Sequence, residues 1–188
     1  MNSPEEVLET YVRAKDLNCP GLIFECFAPE AVLTFSLGTD SIWFPAQVTG
    51  SQAIAKTLVT DFGERFTRCK TYYVSDSTTF RSRQIDRLPW LVIMRERSRS
   101  ALRLGKGFYR WQLESDGKRL RVHAMHIYID RMDMIDDEDG KRLERLQTEL
   151  PYPWLSPATL AERFASMSSQ TPDLAFLDAF RTPVAHPQ

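Results

Sequence analysis

The stretch Leu104–Asp130, LGKGFYRWQLESDGKRLRVHAMHIYID, consists of two strand-like runs joined by a turn at Ser115-Asp116-Gly117-Lys118. Aromatic and β-branched residues on both sides of an Asp-Gly pair are typical of a β-hairpin. Most of the polar groups that could act chemically in a sheet lie in this hairpin: Tyr109, Trp111, His123, His126 and Tyr128. The hairpin therefore indicates the fold more directly than the function.

Three helices are predicted before the hairpin. Ser3, followed by Pro4 and two glutamates, is a helix start, because its hydroxyl can cap the first amides and the acids suit the positive end of the helix dipole. Apolar residues recur at helical spacing to about Leu17, and a second, short helix ends near Ala28. After Gly50, an apolar residue at every fourth position predicts a third helix: Ile54, Leu58, Phe62 and Phe66.

Strands are predicted in two groups. The first group is a pair, Ala31–Leu37 and Ser41–Val48, in which Pro45 indicates an edge strand or a bulge. The second group is an antiparallel meander of four strands rich in aromatic and β-branched residues, with short polar turns between them: Cys69–Phe80, Leu88–Arg99, Arg103–Glu114 and Arg119–Arg131.

The pattern changes to helices after residue 132. Asp136 can cap a helix that runs to about Leu150, and two shorter helices are predicted over Pro157–Met167 and Pro172–Phe180. A segment this short could hardly bury a core of its own. We therefore expect one α+β domain over residues 1–132 and a C-terminal helical extension, residues 133–188, packed on that domain.

Composition narrows the class of protein. The 188 residues are 43% hydrophobic and 26% charged, which is typical of a globular chain, and no apolar run reaches the roughly 18 residues that a membrane span needs. The acidic start MNSPEEVLETY lacks the basic and apolar regions of a signal peptide, so we expect a cytoplasmic protein. Cys19, Cys26 and Cys69 show no CxxC spacing, so neither a disulfide framework nor a zinc site is indicated.

Four arginines of one parity, Arg95, Arg97, Arg99 and Arg103, would form a positive stripe on one sheet face if the strand ran unbroken. Such a stripe suits an anion or nucleic acid, but it also suits a solvated face paired with the acidic segment after Asp130 or with a second subunit. The formal net charge of -1 argues against nucleic acid.

The order of these elements resembles the NTF2-like superfamily, which includes the SnoaL-like, ketosteroid-isomerase-like and scytalone-dehydratase-like proteins. Four phrases carry the resemblance over residues 1 to about 132: SPEEVLETYVRAKD, FECFAPEAVLTF, GSQAI and GFYRWQLESDGKRLRV. The resemblance implies an NTF2-like (cystatin-like) cone, in which a curved antiparallel mixed sheet wraps around the N-terminal helices and leaves a pocket. It also implies a homodimer formed through the sheet.

The residues of two known reactions do not carry over. Tyr11 matches the first-helix tyrosine of ketosteroid isomerase, and Tyr109 falls where its second oxyanion donor would be. The position of its catalytic base is occupied by Phe35, and proton transfer by that mechanism needs a carboxylate there. The two pocket histidines of scytalone dehydratase fall on Tyr72 or Tyr73 and on Gly105, so that match fails as well.

Strict alternation along the hairpin divides its residues between two faces. His123 would lie on the concave face, whereas His126 and Tyr128 would face outward, so the HxxH pair cannot hold one metal ion without a bulge between its members. No metal site and no cofactor are therefore expected. The same alternation places further residues on the concave face: Gly107, Tyr109, Trp111, Met125 and Ile127.

Four residues are candidates for catalysis, each with a structural alternative. His123 could act as an acid or base near neutral pH, or be a hydrogen-bonded core histidine. Tyr11 and Tyr109 could donate to a ligand oxygen, or fill the core with their hydroxyls bound to protein. Asp16 is the best remaining carboxylate for a base, although a solvated helix-end acid is the alternative.

Apolar residues would line the pocket or simply form the core. They are Phe35, Trp43, Trp90 and Met94, together with Gly107, Trp111, Met125 and Ile127. The hypothesis is a cone that binds a small, largely apolar, oxygen-bearing molecule and catalyses a cofactor-independent dehydration, isomerisation or cyclisation. The alternative is a non-catalytic ligand-binding or protein-association module. Trp154, Leu155 and Phe164 of the extension would either lid the pocket or cover a dimer surface.

Overall fold

The computed structural model describes residues 2–184. Within that range, seven strands form one mixed sheet in the order β2-β1-β6-β5-β4-β3-β7. Their bounds are Phe27–Leu37 (β1), Gln47–Thr49 (β2), Phe66–Val74 (β3), Gln84–Glu96 (β4), Ala101–Ser115 (β5), Leu120–Asp136 (β6) and Trp154–Leu155 (β7). The curved sheet is not closed into a barrel, and the predicted α+β cone is confirmed.

Six α-helices accompany the sheet in the described range. Their bounds are Pro4–Asp16 (α1), Ile23–Cys26 (α2), Ser51–Ala55 (α3), Asp61–Arg65 (α4), Lys141–Glu149 (α5) and Pro157–Gln170 (α6). A π-helical turn, Lys56–Thr60, joins α3 to α4, and 3₁₀ helices span Pro20–Leu22 and Pro172–Phe180. The third predicted helix therefore exists, with an unusual turn at its centre.

The predicted start of α1 forms a complete capping box. The Ser3 hydroxyl accepts from the Glu6 amide, and the Glu6 carboxylate accepts from the Ser3 amide. These two bonds satisfy amides that a helix otherwise leaves free at its first turn. The helix thereby starts at Pro4 and presents one apolar face to the sheet: Val7, Leu8, Tyr11, Val12 and Ala14.

Two apolar layers lie on opposite faces of the sheet. The inner layer packs between the sheet and α1 to α4 and includes Leu8, Leu33 and Leu58. The outer layer joins strand residues such as Leu91 and Leu104 to residues of the extension, among them Leu143, Leu155, Phe164 and Phe180. The extension thus covers the outer face of β3, β4 and β5 rather than forming a separate core.

Trp154 lies apart from the rest of the extension. Its ring packs on Tyr73 and Phe80, and its indole nitrogen donates to the Glu9 carboxylate at 2.8 Å. The parallel pairing of β7 with β3 brings it to this edge of the sheet beside α1.

The sheet also runs past residue 132, because β6 ends at Asp136, so the expected boundary at that residue falls inside a strand.

Several element boundaries differ from the sequence prediction. Residues 38–46, expected to include most of a strand, form an irregular strap between β1 and β2. β3 ends at Val74 rather than at Phe80. The N-cap residue of α5 is Gly140, and the Asp137 carboxylate accepts from the amides of Arg142 and Leu143, whereas Asp136 is the last residue of β6.

The expected arginine stripe does not form, because β4 ends at Glu96 and a turn follows. Arg95 donates to the carbonyl groups of Asp137 and Glu138, and Arg97 donates to that of Gly63. Arg103 pairs with Glu96 at 2.6 Å. These arginines therefore join the sheet to neighbouring segments.

No helix in residues 2–184 is long and apolar enough to cross a membrane.

Candidate functional site

A small cavity of about 40 Å³ lies between the inner face of the sheet and the helices, next to the strap. This volume holds roughly three water molecules, whereas pockets for larger ligands reach about 300 Å³ or more. Most of its wall is apolar: Phe35, Ile42, Phe44, Leu58, Phe62, Trp90, Val92, Met94, Ile127, Ile129 and Met132. Three residues of the wall also carry a polar group, although the surface that lines the cavity is almost entirely apolar: Tyr11, Lys15 and Tyr109.

Lys15 is the unexpected member of this site. It follows Tyr11 by one helical turn, so both side chains lie on the face of α1 that meets the sheet. Its ammonium group lies 3.3 Å from the Cys69 sulfur, 3.4 Å from Asp16 Oδ1 and 4.8 Å from the centre of the Phe62 ring. Only 8% of the residue is exposed. Such burial of a charge is tolerated because partners surround it.

Asp16 supplies the negative charge behind Lys15. Its Oδ2 accepts from the Thr71 amide at 2.6 Å and from the Tyr152 hydroxyl at 3.0 Å, and its Oδ1 accepts from the Thr71 hydroxyl at 2.9 Å. The side chain is 2% exposed, so it is not a solvated helix-end acid. It does not line the cavity. Asp16 therefore holds Lys15 in place and is not directed at a ligand.

The ionisable groups of the site keep their protons near neutral pH. Burial alone lowers the Lys15 pKa, but Cys69, Asp16 and Tyr11 outweigh it, so the net shift is upward and the side chain is an ammonium group. Burial raises the pKa of Tyr11 and of Tyr109 well above the usual value for a phenol. Burial also raises the pKa of the Cys69 thiol to about 12. The polar part of the wall consequently consists of hydrogen-bond donors.

Trp90 adds a further donor next to these groups. Its ring stacks on Tyr109 at 5.6 Å between ring centres, and its indole nitrogen is buried with no hydrogen-bond partner among the described residues. Gly107 makes room for it, since a Cβ there would lie 2.6 Å from the Trp90 ring. Gly107 therefore shapes the position of Trp90 and is not itself part of the wall.

The other expected pocket residues lie in three different places. Phe35, Trp90, Met94 and Ile127 line the cavity, as do Tyr11 and Tyr109. Trp111 and Met125 are buried in the inner layer but do not reach the cavity; Trp111 packs edge-on against Tyr11 at 5.2 Å. Trp43 is 71% exposed because the strap turns it outward.

His123 lies on the outer side of the sheet, so the expectation that it faces inward is wrong. The β5–β6 register shifts beside it, since Gln112 pairs with Ala124 and Leu113 pairs with Val122. This bulge reverses the alternation. The His123 ring instead lies 3.6 Å from both Glu30 and Glu114, and 28% of its side chain is exposed. The structure does not bring it together with Tyr11 and Tyr109.

His126 lies outside the cavity too. Its Nδ1 is 2.7 Å from the Thr34 hydroxyl on the neighbouring strand β1. Burial, and then the nearby Arg110, lower the pKa of this imidazole. In residues 2–184 no cluster of three or more His, Cys, Asp or Glu residues could hold a metal ion.

Sequence reasoning missed part of the wall. Lys15 carried a signal, since it continues the apolar spacing of α1, where a charged residue stands out. Ile42 and Phe44 carry no such signal, because the sequence of the strap predicts a strand. Phe44 stacks on Phe35 with 4.6 Å between ring centres, which brings the strap over the cavity. Four further missed residues lie on predicted elements, namely Leu58, Phe62, Val92 and Ile129, and Met132 lies just beyond the predicted end of the last strand.

No protein-family model matches the sequence, and no curated protein matches it. Solved structures do match the fold. An NTF2-like superfamily protein from Salmonella enterica serovar Typhimurium aligns with a TM-score of 0.51 and 13% identity, over 71% of this chain and 89% of that one. The chain has the NTF2-like fold. A candidate scytalone dehydratase from Novosphingobium aromaticivorans aligns with a TM-score of 0.54 and 16% identity, over 71% and 85% of the two chains.

A third matched structure is a hexachlorocyclohexane dehydrochlorinase from Novosphingobium barchaimii. It aligns with a TM-score of 0.53 and 10% identity, over 70% of this chain and 86% of that one. At these identities the likeness concerns the fold alone. The chemistry of the site must therefore be argued from its own residues.

Proposed function

We propose that the cone binds a small, largely apolar molecule through one oxygen that accepts hydrogen bonds. The single observation that carries this proposal is the composition of the cavity wall, which is apolar except for Lys15, Tyr11 and Tyr109. All three keep their protons near neutral pH, and the Lys15 ammonium group and one hydroxyl of the hydrogen-bonded Tyr11–Tyr109 pair could donate to a ligand. A ligand with an acceptor oxygen on an apolar body is complementary to such a wall.

We favour binding without catalysis. Dehydration, isomerisation and cyclisation each require a group that removes a proton. The described cavity wall contains no carboxylate and no imidazole, since Asp16 bonds to Thr71 and Tyr152 and His123 lies outside. The names of two of the matched structures, a dehydratase and a dehydrochlorinase, refer to small-molecule chemistry and support a ligand in the cone, but not a particular reaction.

The proposal is tested by titrating the protein with acetophenone and with α-methylstyrene, which has a CH₂ group in place of the oxygen. Trp90 lines the cavity, so its fluorescence reports occupancy. A hydrogen bond to a charged group contributes about 1.5–3 kcal/mol, so the ketone should bind about 10 to 100 times more tightly.

Two variants complete this test. Lys15→Met removes the ammonium group and should bring the two affinities close together, whereas Tyr128→Phe removes a hydroxyl outside the cavity wall and should leave them unchanged. Binding of neither compound, or equal binding of both to the unaltered protein, would rule out the proposal.

We also propose a homodimer through the part of the sheet that the extension leaves uncovered. This surface lies over β1, β6 and the second half of β5 and includes Thr34, Arg110, His126 and Tyr128. None of these residues belongs to the apolar layer under the extension. Sedimentation equilibrium should give twice the chain mass, and a monomer at micromolar concentration would contradict this part of the proposal.

A further inference from the structure

We infer that the cone selects an uncharged acceptor oxygen, such as that of a ketone, aldehyde or ester, and discriminates against a carboxylate. The reason is that Lys15 reaches the cavity wall already paired with Asp16. This inference rests on the proposed function and adds the chemical class of the ligand.

The charge of the buried pair is balanced before any ligand binds. The side chains of Lys15 and Asp16 are 7% and 2% exposed, with 3.4 Å between Nζ and Oδ1. A ligand carboxylate would add a second negative charge next to one cation, in a place where water compensates little. Desolvating an ion that lacks a full partner is strongly unfavourable. A neutral carbonyl avoids that penalty.

The pair still has a donor to offer. An ammonium group carries three N–H bonds, and the Asp16 carboxylate and the Cys69 sulfur account for two directions around Lys15. The face of the Phe62 ring lies 4.8 Å from Nζ as a third neighbour, and Phe62 and Lys15 both line the cavity, so a ligand oxygen there would take the place of a weak ring contact. One further hydrogen bond to a neutral oxygen leaves the net charge of the site unchanged. The hydroxyls of Tyr11 and Tyr109 share one hydrogen bond, which leaves one of the pair to donate, and the indole nitrogen of Trp90 has no partner among the described residues.

Asp16 cannot readily turn away to expose the charge of Lys15. Its two oxygens accept three hydrogen bonds, from the amide and hydroxyl of Thr71 and from the hydroxyl of Tyr152. These bonds fix the carboxylate between α1, β3 and the segment before β7. No second charged side chain is part of the described wall. The neutrality of the site is therefore built into the fold and does not depend on the ligand.

The test compares acetophenone with benzoate, which has a similar size and is ionised at pH 7. The unaltered protein should bind acetophenone at least about tenfold more tightly than benzoate, since each factor of ten corresponds to only about 1.4 kcal/mol. In Asp16→Asn the site gains a net positive charge, so benzoate affinity should rise about tenfold or more while acetophenone affinity changes little.

Circular dichroism shows whether the Asp16→Asn protein is folded. If it is not, a second variant still tests the inference. Lys15→Met leaves the Asp16 charge unbalanced and should weaken benzoate binding further. Benzoate that binds the unaltered protein as tightly as acetophenone would overturn the inference while leaving the proposed function intact. Failure of both compounds and of α-methylstyrene to bind would reject the proposed function, and the inference with it.

Discussion

Among single residues, the buried Lys15 has the largest effect on the polarity of this site. An isolated ammonium group would be very unfavourable next to Phe62 and Leu58, but the Asp16 carboxylate and the Cys69 sulfur surround it. Breaking a buried pair typically destabilises a protein by about 3–5 kcal/mol, whereas replacing a whole pair by apolar residues is often neutral. Loss of either partner alone should therefore destabilise the fold, whereas joint replacement of both should not.

His123 provides a prediction at the same scale. The β5–β6 bulge turns its ring away from the cavity to lie between Glu30 and Glu114. Replacing it by glutamine should therefore leave the affinity for acetophenone unchanged and should shift the unfolding free energy by less than about 1 kcal/mol, as for exposed ion pairs. Isothermal calorimetry and urea denaturation measure the two quantities. A tenfold loss of affinity would return His123 to the site.

The positions of single side chains were harder to predict from the sequence than the order of the helices and strands. Tyr109 and Ile127 could be assigned to the inner face, because strand alternation holds across that part of the hairpin. His123 could not, since one extra residue in a strand reverses every assignment beyond it and leaves no mark in the local composition. Asp16 was taken for a candidate base because its partners, Thr71 and Tyr152, lie far away along the chain.

Among the elements, the strap over residues 38–46 forms one side of the cavity through Ile42 and Phe44. Few hydrogen bonds hold it: the Gly38 amide donates to the Ile129 carbonyl, the Ser41 hydroxyl to that of Met132, and the Phe35 amide to that of Ala46. Ile42 and Phe44 occupy space that a ligand larger than a few water molecules would need. The strap must therefore move for such a ligand to bind.

A pair of strap variants tests this requirement. Phe44→Ala removes the ring stacked on Phe35 and should raise the association rate of acetophenone several-fold in stopped-flow fluorescence. Trp43→Ala is the matched control, because that side chain is 71% exposed and should leave the rate unchanged. Equal rates in both variants and in the unaltered protein would show that the ligand enters elsewhere.

At the scale of elements, the order of helices and strands could be predicted because each carries a local signal. The cap at Ser3, the spacing of Ile54, Leu58 and Phe62, and the Asp-Gly turn are examples. The strap could not, since its alternating apolar residues match a strand while Pro45 and the short β2 end the pairing early. The π-helical turn carries no sequence signal that we recognise.

For the whole molecule, the placement of the extension decides which surfaces remain available. Its apolar residues cover the outer face of β3 to β5, which the sequence could not show because an apolar stripe does not specify its partner. The same helices cannot lid the cavity, which lies on the inner side. A dimer through the sheet must therefore use the β1 and β6 side.

The central claim is that an acceptor oxygen binds against Lys15 inside the cone, and the carbonyl ¹³C resonance of labelled acetophenone tests it most directly. Hydrogen bonds from an ammonium group and a phenol draw electron density from the carbonyl carbon. We predict a bound resonance downfield of its position in an apolar solvent, which moves upfield in Lys15→Met. A bound resonance at the apolar-solvent position, unaffected by Lys15→Met, would contradict the account.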